Sequence, residues 1–222
     1  KLLLILLCLP LIGLAQNHWC GTQATQQQIN YLSQTKFERQ NWNKEKSIIW
    51  IPVQHHIVRE SNGTGGLDII SLQSIMDTLN AYFIHADIQF FECESANFID
   101  DSYYYNFDSW DEQYFCGPND IANVVNIYYF NSMDGGFLYG KSNFPGGADR
   151  IIMDRYVADT AQSVVVHEFG HYFSLFHTFE TFFGAELVNG SNCSWAGDQL
   201  CDTEASIPLW GLVNSSCQYT GS

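Results

Sequence analysis

His167-Glu168-Phe169-Gly170-His171, entered through Val164-Val165-Val166, constrains this chain more than any other stretch. On an α-helix, two histidines four apart project from one face, one turn above the other. The apolar entry predicts a buried helix, and three ionisable side chains there are costly unless paired or metal-bound. Two imidazoles at that spacing can reach one ion. Glu168 then sits beside the ion, where it can handle the proton of an activated water. His177, six residues further on, supplies a third nitrogen. Three protein ligands with one open position are the catalytic form of a zinc site, not the structural form. The plain alternative is a pair of core histidines on a buried face.

The chain has 222 residues, 46% of them hydrophobic, enough for one sizeable core or two small lobes. Residues 1 to 15 read as a secretory signal peptide. Leu2 to Leu7 forms an apolar run behind Lys1, and Gly13 and Ala15 place small residues at a cleavage site. No later segment is long and apolar enough to cross a membrane, so the expected location is secreted or cell-surface. With 24 acidic against 9 basic residues and a net charge of −15, the chain repels phosphate backbones and anionic lipid. That argues against nucleic acid as a partner. Nothing in the sequence sets an oligomeric state.

Cys8 leaves with the signal peptide, and Cys20, Cys93, Cys116, Cys193, Cys201 and Cys217 remain. An even number in an exported chain suggests disulfides, although six cysteines allow 15 pairings. Cys93–Cys116 is one expected bridge, with Cys193, Cys201 and Cys217 as a second local cluster.

Residues 16 to 46 are polar and Gln/Asn-rich, weakly helical from Thr25 to Arg39, and read as a pro-segment or linker. From residue 47 the pattern runs strand (47–58), helix (67–84), strand (86–93), then strands at 124–130, 135–140 and 150–154. The aromatic, acidic stretch 94–120 reads as a long surface loop. Asp159 and Gln162 stand at capping-box spacing ahead of the histidine helix. This order predicts an α+β fold, with a twisted mixed five-stranded sheet and two long helices, the second carrying the motif. The short Phe137-Leu138-Tyr139 strand, flanked by glycines, suits an exposed edge. An extended peptide could lie antiparallel along it; the alternative is an ordinary solvated edge.

The run from His167 to Phe179, with Gly197-Asp198-Gln199-Leu200-Cys201-Asp202-Thr203 and Cys217-Gln218-Tyr219-Thr220-Gly221, resembles the metzincin metalloproteases. Within that clan it is most similar to the pappalysin family, peptidase family M43, in its bacterial cytophagalysin-like members. The resemblance runs from about residue 48 to the end. It implies a zinc endopeptidase acting on proteins or peptides, with His167, His171 and His177 as zinc ligands and Glu168 as general base. It also implies a structural calcium near Asp198 and Thr203, against the alternative of a capped loop without metal. Cys20 could keep the enzyme latent by occupying the open zinc position, or could instead be a disulfide partner.

Two departures stand out. The motif's usual glycine is Ser174, at a turn where a left-handed residue costs a non-glycine about 1 kcal/mol. The methionine turn that names the clan should follow the zinc helix, yet Met76, Met133 and Met153 all precede it. The expectation is therefore a truncated sequence, whose catalytic domain (47–222) divides near residue 173 into an upper subdomain and an incomplete lower one. Two other readings compete. One is a metalloprotease with a glutamate as third ligand, for which Glu186 and Glu204 are available. The other is an inactive zinc-binding or surface-adhesion protein, for which retention of Glu168 has no use.

Overall fold

A computed structural model describes residues 19–40, 47–207 and 212. The chain enters on β1 (Trp19–Cys20) and α1 (Gln26–Gln40). There follow β2 (Ile49–Arg59), α2 (Ile69–Phe83), β3 (Ile88–Glu92), β4 (Asn97–Asp100), β5 (Asn106–Phe107) and the single turn α3 (Glu112–Phe115). Then come β6 (Val125–Phe130), β7 (Ser132–Met133), β8 (Leu138–Ser142), β9 (Arg150–Asp154), α4 (Arg155–Thr160) and α5 (Ser163–Tyr172). The expected signal peptide and Cys217 lie outside the described residues.

The fold is α+β around one mixed sheet. Its main order is β3-β2-β6-β9-β8-β7-β5, with β4 added beside β2 and β1 beside β8. The sheet has nine strands among the described residues, where the sequence predicted five. The four extra ones, β1, β4, β5 and β7, are two to four residues long. Runs that short carry no period of their own. The central strands β2, β6 and β9 pair in parallel, and β8 turns antiparallel to β9.

Parallel strands are buried on both faces and need cover on both. On one face α2 and α5 supply it. Asp68 caps α2 by accepting from the Ile70 amide, and Leu72, Ile75, Met76, Leu79 and Phe83 form the buried stripe. Phe169 of α5 meets Phe83 and Phe90 edge-on. On the other face the cover comes from residues 94–120, which are therefore not a surface loop. Phe107, Phe115 and Cys116 pack there against Tyr128, Phe130 and Ile152. Arg150, 2% exposed, fastens that cover to β9 through ion pairs with Glu112 and Asp120. Lys141 of β8 reaches Glu112 at 2.6 Å.

Two further expectations are corrected. Cys93 is exposed and Cys116 buried, and both are free thiols. Cys116 is spent filling the second core, while Cys193 pairs with Cys201. The capping box is also elsewhere. Asp159 accepts from Ser71 and Gln162 bonds Ser74 and Thr78, tying α4 and α5 to α2. A capping box does form at Thr25 and Gln28, at the start of α1.

Candidate metal centre

The histidine helix ends in a hydrogen-bonded reversal. The Leu175 amide donates to Gly170 O at 2.9 Å and the Ser174 amide to His171 O at 2.8 Å. These are the two bonds of a Schellman motif, which demands a left-handed residue between them. Ser174 takes that conformation, with φ +78°. The serine thus accepts the strain that a glycine would avoid, and the chain doubles back to bring His177 over the helix face.

His171 Nε2 lies 3.0 Å from His167 Nε2 and 3.2 Å from His177 Nε2. His171 Nδ1 donates to Leu175 O at 2.6 Å, which leaves Nε2 with its lone pair turned toward the other two rings. Burial holds all three imidazoles neutral: His167 falls to about 3, His177 to about 4, and His171 well below the usual value. Three neutral nitrogens, that of His171 fully buried and those of His167 and His177 on half-buried rings, converge on one point and fit a zinc ion. Cys20 Sγ joins them, and the four ligand atoms lie within 4.8 Å of one another.

Glu168 is fully buried one position along. Its pKa is raised to about 7 by burial, against hydrogen bonds from Thr22 and Cys20 that lower it. Its Oε2 accepts from Thr22 Oγ1 at 2.8 Å, while Oε1 has no partner. β8 passes directly over it at Gly140, where a Cβ would stand 2.9 Å from Glu168 Cγ and Oε1. The missing side chain lets the strand and the carboxylate share one wall.

Leu138 and Tyr139 lie on β8, and Phe137 sits just before it, 64% exposed. The edge they form is already paired. Trp19 lies opposite Leu138 and Cys20 opposite Gly140, in parallel, and the Gly21 amide donates to Gly140 O at 2.9 Å. Asp198 and Thr203 come together away from the zinc ligands. Thr203 Oγ1 lies 2.9 Å from Asp198 Oδ2, and Leu200 N donates to Asp198 Oδ1 at 3.0 Å. Burial raises the Asp198 pKa, and burial, followed by the charge of Asp198, raises that of Glu186, whose Oε2 is buried without a hydrogen-bond partner. Glu186 thus belongs with Asp198 and not with the histidines. Glu204 is absent from the metal-competent cluster among the described residues.

Sequence reasoning missed Thr22. The signal was present: residues two apart on an extended chain face the same way. A Cys20 turned toward the metal therefore brings Thr22 to the same wall.

Residues 120–215 match the family model described as pregnancy-associated plasma protein-A, peptidase family M43. No curated protein matches the chain. Among solved structures, metalloproteinase-II from Bacteroides fragilis is similar at 13% identity, with a TM-score of 0.34. That match covers 91% of this chain and 56% of the other, so the chain spans little more than half its length. The likeness is too slight to build on.

Proposed function

We propose that this chain, whose residues 120–215 match the family model of peptidase family M43, is a secreted zinc endopeptidase acting on proteins or peptides. The observation that carries this reading is the convergence of His167, His171 and His177 within 3.2 Å of one nitrogen, with Glu168 buried alongside. Those three histidines hold the zinc. A zinc ion bound there supplies Lewis acidity toward a peptide carbonyl and the attacking water. Glu168, raised to about 7, takes a proton from that water on its carboxylate and hands it to the leaving amine nitrogen. The β8 edge, Leu138 and Tyr139 with Phe137 before them, aligns an extended substrate through main-chain hydrogen bonds once β1 has left it.

While residues 19–34 are docked, Cys20 Sγ stands in the same cluster and would fill the remaining ligand position of a bound zinc, which keeps this form latent. Alkylation of Cys20 in the intact chain with a reagent too bulky to seat beside the three histidines should displace the whole segment and raise activity; a fully alkylated chain with no gain counts against the switch. Calcium is the second proposed cofactor. Asp198 and Thr203 would hold it, with the unpartnered Glu186 oxygen beside them, a hard-oxygen set that suits it. Adding calcium to metal-free protein should raise the melting temperature, and no shift removes this site.

The competing reading, an inactive zinc-binding or adhesive protein, gives no reason to bury a carboxylate beside the ligands. Metal analysis with casein hydrolysis, with and without chelator, separates the two. Stoichiometric zinc and chelator-sensitive cleavage are expected after removal of the N-terminal segment. Zinc without any cleavage favours the competitor.

A further inference from the structure

We propose that the body of the protein carries a binding site for its own residues 20–31 that is complete without the metal and without the Cys20 thiol. Three contacts build it, none involving a histidine ligand. The first is at Thr22, 4% exposed. Its hydroxyl donates to Glu168 Oε2 at 2.8 Å and accepts from the Ser142 amide at 2.7 Å, bridging the β8 backbone to the buried carboxylate. The second is at Gly21, which lies so close to β8 that a Cβ would stand 2.8 Å from Leu138 Cδ1. The third is on the loop after β8. The Gln28 carboxamide, 6% exposed, accepts from Thr25 within the capping box and donates to Phe144 O at 3.1 Å.

The receiving loop is shaped for that third contact. A Cβ on Gly147 would stand 2.6 Å from Gln28 Nε2, and one on Gly146, at φ +90°, 3.1 Å from the Tyr31 ring. Two adjacent glycines leave a notch that the Gln28 and Tyr31 side chains occupy. The site thus combines a buried anion for a hydroxyl, a strand edge for an amide, and a carbonyl in a glycine notch for a carboxamide. It fits this segment and no generic extended chain.

The functional consequence differs from that of a thiol on the metal. Thr22 occupies Glu168 Oε2, the oxygen on the side of the Cys20 thiol and hence of the ligand cluster. Freeing Cys20 alone therefore leaves the base covered, and opening the site requires the whole segment to leave. The site extends the latency proposed for Cys20. Its test reads neither zinc nor hydrolysis, so either idea can fail without the other.

The test is amide hydrogen exchange on the full chain, with and without chelator, read at Gly21 and Ser142. Cys20→Ala should keep the parent's protection at both amides in both conditions. Thr22→Val, which removes a buried hydrogen bond to a carboxylate, should speed exchange at both by about ten- to hundredfold. Gln28→Ala should give a smaller increase in the same direction, and Thr22→Ser, which keeps the hydroxyl, should retain protection. The amides of Val125–Phe130, at the sheet centre, report that the body remains folded. Loss of protection in Cys20→Ala alone overturns the proposal. So does unchanged protection in Thr22→Val, or a Thr22→Ser chain as exposed as Thr22→Val.

Discussion

The body from 47 to 173 and the stretch from 174 to 207 are held by different forces. The body is stitched across long sequence distances: nearly all of the buried apolar side chains belong to it, packed on both faces of the sheet. Beyond Ser174, Phe176 and Ala196 are the buried apolar residues among those described. That stretch is maintained mainly by turns, by hydrogen bonds a few residues apart and by Cys193–Cys201, with Ser206–Thr178 and Gly197–Gly184 as its longer ties. The candidate metal centre straddles the divide. His167 and His171 ride a buried helix, whereas His177 arrives on the loosely held side through the strained Ser174 turn. Local opening follows contact density, so the third ligand should be the first to move.

The largest effect expected within the body is from Arg150→Ala. It leaves Asp120 without its cation, while Glu112 keeps Lys141, and should destabilise the protein by about 3 kcal/mol in denaturant titration. A cost under about 1 kcal/mol would mean that the second core does not depend on that fastening. Next comes acid. His55 is fully buried and its pKa is lowered to about 4 by burial and by His56. The unfolded chain therefore binds a proton that the folded one refuses. This contribution is present above about pH 6.5 and is lost as pH falls toward 4, on the order of 3 kcal/mol. His55→Gln should flatten that part of the stability curve, and an unchanged curve contradicts the assignment.

Replacing Cys193 and Cys201 by serine should cost about 2–3 kcal/mol by loop entropy. The loss should be confined to 174–207, seen as faster nicking there while the exchange of Val125–Phe130 stays as it was. If the body loosens equally, the two regions are one cooperative unit and the contrast is wrong. Ser174→Gly gives the smallest effect. It should stabilise the turn by about 1 kcal/mol and tighten zinc binding through His177. Weaker zinc binding would show that the serine side chain holds the turn by a contact of its own.

Much of this was legible from sequence. The ligand helix, the stripe of α2 and the strands of the parallel centre carry strong periods or apolar runs, and they lie where the pattern placed them. The strained turn at Ser174 could be read because the motif demands a reversal there. What was not legible depends on partners far away in the chain. Nothing local in residues 94–120 says that they cover a sheet face. The short strands pair only because longer ones offer an edge. Cys93 and Cys116 looked like a bridge until the second core claimed Cys116. The docking of residues 19–34 was the largest gap. That stretch is polar and reads as linker, and its fit depends on Gly21, Gly146 and Gly147, whose role is to have no side chain.

The central claim is that Glu168 performs the proton transfers beside a zinc held by three histidines. The most direct measurement is on Glu168→Ala in the natural full-length chain, freed of its N-terminal segment. Zinc content by elemental analysis and peptide hydrolysis are read on the same sample. The account predicts one zinc per chain and hydrolysis reduced by at least about a hundredfold. Hydrolysis at the parent's rate with zinc still bound would contradict it.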